Sequence, residues 1–235
     1  NMDREYGIYG FCYYHYWFNG KRLMDRPVKE ILASGQPDFP FMLCWANENW
    51  SRNWDGKFRN ILIEQHYSEE DDIEHMRYLC SKVFQDTRYI RIDGKPVFAI
   101  YRSNFFPNMK HTIDVWRKVA KEEYGIELYL IRVENEPDFG PKYLDCGFDS
   151  AMDFQPLLMG EFNAWWKNLP FRIMNHLFKG KYQWFNKHFS YASYVKYRIK
   201  KPLADYKCFP CVSPGWDNSP RRKKPCLLYT SPSPR

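Results

Sequence analysis

Phe41-Met42-Leu43-Cys44-Trp45 runs apolar without a break and then stops in Ala46-Asn47-Glu48-Asn49-Trp50. An unbroken apolar run of this length reads as a strand covered on both faces, and the amide–carboxylate–amide run reads as the loop at its C-terminal end. The same ending recurs at Tyr13-Tyr14-His15-Tyr16-Trp17, Ala99-Ile100-Tyr101-Arg102, Arg132-Val133-Glu134-Asn135-Glu136, Met152-Asp153-Phe154-Gln155 and Pro214-Gly215-Trp216-Asp217-Asn218. If these strands are parallel, their polar tips open on one rim, where α/β sheets and barrels carry their sites. Flat aromatic faces beside carboxylates and amides suit a sugar, which offers C–H faces and a hydroxyl periphery.

Between the strands the apolar spacing changes to that of helices. Asp25 to Ala33 reads as a helix with Pro27 in its first turn and Gly35 ending it. Ser68-Glu-Glu-Asp71 opens another in capping-box fashion, followed by Ile73, Met76, Leu79, Cys80, Val83 and Phe84 at helical spacing. Asp93-Gly94 marks a turn into the strand Pro96 to Tyr101, and Ile113, Trp116, Val119, Ala120 and Tyr124 mark a helix stopped by Gly125. Further strands are expected at Gly7–Tyr14, Glu127–Val133, Ser150–Phe154 and Cys208–Ser213, with a short helix at Pro141–Cys146. Strand and helix alternate, which argues for parallel βαβ units.

A chain of 235 residues suits one α/β domain. Its net charge of +7 is unevenly placed: residues 1–161 carry 20 Lys and Arg against 26 Asp and Glu, whereas residues 162–225 carry 14 against 2. Aromatic residues interleave with this basic charge from Trp165 to Tyr197. The segment 162–207 therefore reads as a basic, aromatic-rich helical insertion, suited to an anionic membrane surface or a lipid-linked phosphate, or simply packed on the domain with a solvated lysine face. No nucleic-acid-binding module accompanies it. Residues 226–235 read as an adapter-derived, non-native tail, and the chain as an internal piece of a longer protein. Cys12, Cys44, Cys80, Cys146, Cys208 and Cys211 read as structural thiols of a reducing cytoplasm, with peripheral contact at the inner membrane through the basic segment.

Among the rim candidates, Glu48 suits hydrogen bonds to sugar hydroxyls or the positioning of a catalytic partner, with a loop-organising role as its alternative. Glycosidic chemistry needs two carboxyls, ~5–5.5 Å apart for retention or ~6.5–9.5 Å for inversion. Glu134 and Glu136 flank Asn135 and either reach the sugar or, in an open-sheet nucleotide-sugar transferase, hold a divalent cation on the donor. Tyr14, His15, Trp17, Trp45, Asn47, Trp50, Arg102, Asp153, Trp216 and Asp217 complete the candidate substrate-binding set, each with core packing, an ion pair or a structural hydrogen bond as its alternative. No dinucleotide, phosphate-loop, zinc-protease or serine-hydrolase motif is present, so no cofactor and no metal centre are expected.

Tyr9-Gly-Phe-Cys-Tyr-Tyr-His-Tyr-Trp-Phe-Asn-Gly-Lys21, Pro40 to Trp50 and Trp54-Asp55-Gly56 strongly resemble the WbsX-like proteins, a family of glycosyltransferases of bacterial surface-polysaccharide assembly related to glycoside hydrolase family 99. Gly94 to Arg102 and Val212 to Asn218 look like later members of the same pattern. The resemblance implies a (β/α)8 TIM-type barrel of which this chain lacks the first and last strands. It also implies glycosyl transfer or hydrolysis at an α-linked sugar of O-antigen or capsule, and catalytic glutamates after the eighth strand, beyond this chain. By that reading Glu48 and Glu134 are the acidic candidates present, and the fragment alone is inactive. A metal-dependent nucleotide-sugar transferase and a non-catalytic glycan-binding barrel stand as alternatives.

Overall fold

A computed structural model describes residues 2–51, 61–135, 140–156, 173, 177, 187–217 and 226–229. Trp54, Asp55 and Gly56, the candidate Glu136, Asn218, and the aromatic residues from 165 through 185 lie outside the described residues. In chain order the strands are β1 (Phe11–Phe18), β2 (Lys21–Leu23), β3 (Phe41–Trp45), β4 (Trp50–Ser51), β5 (Ile61–Ile63), β6 (Arg91–Ile92), β7 (Lys95–Ile100), β8 (Tyr129–Glu134), β9 (Ser150–Asp153), β10 (Lys187–Ser190), β11 (Cys208–Phe209), β12 (Trp216–Asp217) and β13 (Cys226–Tyr229). The helices named below are α1 (Met2–Glu5), α2 (Arg26–Ser34), α3 (Glu69–Tyr78), α4 (Met109–Tyr124) and α5 (Tyr191–Lys200).

The chain divides into two compact units. The first comprises residues 1–49, 63–153 and 206–209; the second comprises 50–62, 154–205 and 210–235. The centre of the first is a parallel sheet in which β1, β3, β7, β8, β9 and β11 lie side by side in chain order. Short antiparallel strands β2 and β6 pair with β1 and β7. The sheet among the described residues is open, with β11 at one end and β2 outside β1 at the other. Six parallel strands match the number read from the sequence, two short of the eight that close such a barrel.

Cross-strand register sorts the side chains onto two faces. Tyr13, Leu43, Phe98 and Leu130 are aligned in one row, and His15, Trp45, Ile100, Arg132 and Ala151 in the next. This face packs on Val28 and Ile31 of α2, Met76 of α3 and Ile113 and Trp116 of α4, forming the main core. Helices α2, α3 and α4 thus cover the same side of the sheet. On the other face Val97, Ala99, Ile131 and Val133 are also buried, as the unbroken apolar strands require.

The helix ends follow their sequence signals. Pro27 sits in the first turn of α2, and Gly35 (φ 70°) donates to the Ile31 carbonyl at its end. Ser68 Oγ accepts from the Asp71 N–H at 3.2 Å at the start of α3, and Asn108 Oδ1 accepts from His111 N–H at 3.1 Å at the start of α4. A π-helical turn, Leu79–Val83, continues α3, and a 3₁₀ turn occupies Pro141–Cys146.

One strand differs from its expectation in a way that changes the site. β1 does not end at Tyr14 but runs on to Phe18 and turns through Asn19 (φ 47°) and Gly20 (φ 77°) into β2. Both turn residues take the positive φ that a two-residue hairpin demands, which is why Asn-Gly is favoured there. The Tyr16-Trp17 stretch therefore belongs to the strand and not to a loop beyond it. β11 is shorter than expected, ending at Phe209.

In the second unit, β10 and β12 flank β13, and Phe189, Tyr194 and Leu228 form a small core on which Tyr191, Val195 and Trp216 pack. The expected basic insertion supplies β10 and α5 to this unit, and the tail 226–235 supplies β13. The six cysteines from Cys12 to Cys211 are free thiols, although Cys12 is exposed where an apolar position was expected.

Candidate active site

The C-terminal ends of β3, β7 and β8 are tied together by amide and guanidinium groups. Asn47 is fully buried: its Nδ2 donates to the Arg102 carbonyl at 2.8 Å and its Oδ1 accepts from the Arg102 N–H at 2.8 Å. Tyr67 Oη donates to the Asn47 carbonyl at 2.9 Å. Asn135 Nδ2 donates to the Tyr101 carbonyl at 2.8 Å. Each strand end would otherwise leave backbone groups without a ladder partner, and the two asparagines supply donors and acceptors in their place.

Arg102 is held from two sides. Its Nε donates to Glu48 Oε1 at 2.7 Å, and its Nη1 to the carbonyl and Oδ1 of Asn135, both at 3.1 Å. Its guanidinium carbon lies 5.1 Å from the Tyr101 ring centre and 5.8 Å from that of Phe105. Tyr101 in turn meets Tyr14 edge to face at 5.9 Å. Tyr14 is 46% exposed and the Glu48 side chain 40% exposed. Among the described residues Glu48 Oε2 accepts no hydrogen bond while Oε1 is fixed by Arg102. Burial pushes the Tyr14 and Tyr101 phenols up, so both are hydrogen-bond donors at neutral pH. An open phenol ring, a fixed guanidinium and a half-open carboxylate provide a stacking face, a donor and an acceptor at one rim.

Glu134 has different surroundings. Its Oε1 accepts from Arg132 Nη2 at 2.6 Å and from Tyr206 Oη at 2.5 Å, and the Cys208 thiol lies 3.8 Å from Oε2. Arg132 is 1% exposed and Glu134 7%. Burial, then the neighbouring Glu134 carboxylate, holds the Tyr206 phenol up and the Cys208 thiol up to about 11. Both groups keep their protons and donate them to Glu134. Asp153 is the register partner of Glu134 on β9 and is partly buried. Three donors, one of them a full positive charge, satisfy this carboxylate as an anion.

The structure places three of the expected rim residues in the core. His15, Trp17 and Trp45 lie on the helix-covered face, respectively 4%, 2% and 0% exposed, because β1 extends past them and Trp45 is the last residue of β3. His15 Nε2 meets His75 Nε2 at 3.0 Å, and the Trp17 ring stacks on His75 with centres 4.5 Å apart. Trp17 Nε1 donates to Asp71 Oδ1 at 2.9 Å, and Trp45 Nε1 to the Trp17 carbonyl at 3.2 Å. These groups build the core and have no open face for a sugar. Trp50, Trp216 and Asp217 belong to the second unit; Trp216 packs on its core and Asp217 is exposed.

Tyr101, Asn135, Tyr67 and Tyr206 were not singled out from the sequence. Tyr101 and Asn135 stand at strand ends beside residues that were, so the signal was present; Tyr206 lies in a loop before a two-residue strand and had none. No group of three or more His, Cys, Asp or Glu suited to a metal occurs among the described residues. Glu134, the acid expected to share a cation with Glu136, already faces the Arg132 guanidinium, so its donor set fits a buried ion pair and not a cation site. No helix among the described residues is long and apolar enough to cross a membrane.

The profile of the family described as Glycosyltransferase WbsX matches residues 1–235. The uncharacterized protein WxcX of Xanthomonas campestris pv. campestris strain B100 is 33% identical over 234 residues, which cover the whole of this chain and 32% of the relative. Its counterpart in a second strain of that pathovar is 32% identical over the same span. The chain thus spans about a third of the length of these relatives. Among solved structures, one described as a glycoside hydrolase-like protein superposes with a TM-score of 0.52 at 14% identity, covering 98% of this chain and 66% of that one. That likeness is one of fold.

Proposed function

This chain belongs to the WbsX glycosyltransferase family, and we propose that it forms part of a carbohydrate-active enzyme that transfers or hydrolyses a glycosyl unit in polysaccharide metabolism. The observation that carries this reading is the rim of β3 and β7, where Arg102 fixes one oxygen of the half-exposed Glu48 beside the Tyr14 and Tyr101 rings. Glu48 is the carboxylate that reaches the sugar. Arg102 positions it, and Tyr14 offers a ring face to the C–H side of a pyranose. Glu134, held by Arg132 and Tyr206, keeps a fixed negative charge behind the rim and is a positioning residue.

The open sheet is read as a segment of a (β/α)8 barrel. Its strands follow one another in chain order and α2, α3 and α4 cover one face, which is the winding of a barrel; a doubly wound sheet reverses direction and carries helices on both faces. The sugar is proposed to be α-linked and to belong to a bacterial surface polysaccharide, with the second acidic group of the reaction supplied from chain outside these residues. The basic residues of the second unit bring the enzyme to an anionic surface, a bilayer or the phosphate of a lipid-carried sugar.

The reading is tested by sugar transfer to, or release from, a surface polysaccharide by the natural protein that contains this chain. Glu48→Gln is expected to lower turnover at least ~100-fold, the range in which an acid–base or nucleophilic carboxylate works. A change of less than about twofold overturns the assignment of Glu48. Turnover undiminished by a chelator is expected, since Glu134 is committed to Arg132; loss of turnover in chelator favours the metal-dependent transferase instead.

A further inference from the structure

The basic charge of this protein is concentrated in the stretches of sequence that make up the second unit. The second unit draws on three separate stretches of chain, 50–62, 154–205 and 210–235, and holds 17 Lys and Arg against 4 Asp and Glu, a net +13. The first unit holds 18 against 24, a net −6. A difference of 19 charges between the two sets of residues favours association of the second with anionic surfaces.

Within the positive unit, α5 has two distinct faces. Tyr194 is buried in the small core with Phe189 and Leu228, and Tyr191 and Val195 pack beside it. The opposite face exposes Ala192, Lys196, Ile199 and Lys200, at the i, i+4, i+7, i+8 spacing of one helical stripe, and the chain leaving the helix exposes Lys201 and Leu203. Ile199 is 78% exposed and Leu203 85% exposed. Lysines alternating with two open aliphatic side chains on a helix whose other face is already used is the pattern of an interfacial helix: apolar groups enter the acyl boundary while ammonium groups meet lipid phosphates.

We propose that the second unit docks on an anionic lipid bilayer through this outer face of α5, with Lys196, Lys200 and Lys201 at the headgroups and Ile199 and Leu203 below them. The proposal rests on the anionic-surface part of the reading above and not on its sugar chemistry. A soluble phosphate would be served by donors alone. The exposed Ile199 and Leu203 add an apolar element that the acyl boundary of a bilayer can cover and a soluble phosphate cannot.

The test is co-sedimentation of the full chain with vesicles of phosphatidylcholine alone and with about 30% phosphatidylglycerol added. Binding is expected only to the anionic vesicles and is expected to weaken as salt rises. Combined K196Q, K200Q and K201Q is expected to lower vesicle affinity roughly 100-fold, each lysine near a charged surface being worth about fivefold. Combined I199S and L203S is expected to lower it while leaving its salt dependence in place. As a control of equal charge change, K82Q, K118Q and K142Q in the first unit are expected to leave binding within about twofold. Equal binding to both vesicle types, an unchanged affinity in the three-lysine variant, or equal loss in the control overturns the proposal. So does displacement from vesicles by inorganic pyrophosphate at matched ionic strength, which would assign the lysines to a soluble phosphate.

Discussion

His15 on β1 and His75 on α3 meet Nε2 to Nε2 at 3.0 Å in the fully covered space between sheet and helices, with Trp17 stacked on one side. One ring must donate and the other accept, so the contact exists only while at least one ring is neutral. Burial holds the His15 pKa down at about 3, with Arg22 adding to it, and holds that of His75 well below its ordinary value, with His15 adding to it. At neutral pH both rings are uncharged.

Acid sensitivity follows from this pair. A base whose folded pKa is depressed contributes stability that is present above its unfolded value of 6.5 and is lost as pH falls from 6.5 toward about 3. Asp72, raised to about 6 chiefly by burial, acts oppositely: its contribution is largest below 3.8 and is lost as pH rises through 6. Asp71, whose carboxyl burial also pushes up, acts in the same direction as Asp72, so the two carboxyls offset in part the stability that the two histidines lose on acidification. His75→Gln is expected to make the loss of stability on acidification shallower. Urea midpoints measured across the range check it, and an unaltered slope contradicts it.

Stability and function are expected to separate at Glu48. Its pair with Arg102 is partly exposed on both sides, so Glu48→Gln is expected to change unfolding stability by less than about 1 kcal/mol. The same substitution is expected to remove most sugar turnover. Parallel urea titration and activity measurements distinguish this from a structural role, in which both fall together.

Arg132 and Glu134 are expected to behave in the opposite way. Arg132→Met leaves a buried carboxylate with the Tyr206 and Cys208 donors alone and is expected to cost about 3–5 kcal/mol. Tyr206→Phe removes one donor to that carboxylate and is expected to cost about 1–3 kcal/mol. Losses below ~0.5 kcal/mol in both would show that Glu134 is not held as described.

The alternation of strand and helix, the end of β3 at Trp45 and the caps at Ser68 and Gly125 were legible because each rests on local rules: apolar run length, side-chain capping and the freedom of glycine. Asn19-Gly20 marks the hairpin that ends β1, but the aromatic cluster Tyr13–Trp17 resembles the strand ends elsewhere in the chain and obscures how far the strand extends. By sequence alone His15 and Trp17 therefore read as rim residues, whereas both are buried. Their actual neighbours, His75 and Asp71, sit some 60 and 54 residues away, and only the pairing of β1 with α3 brings them together. The Asn47–Arg102–Asn135 network is half legible: the polar residues at the strand ends can be read from the sequence, but which atoms meet depends on register between β3, β7 and β8, which the sequence does not state.

The most direct test of the rim site is titration of oligosaccharides from a WbsX-type surface polysaccharide into the chain, comparing the unaltered protein with Tyr14→Ala, Glu48→Gln and His75→Gln. Loss of the stacking face or of the acceptor is expected to weaken binding at least ~10-fold, about 1.4 kcal/mol, whereas His75→Gln, buried on the other face, is expected to leave it within about twofold. Binding that survives both Tyr14→Ala and Glu48→Gln unchanged would contradict the placement of the sugar at this rim.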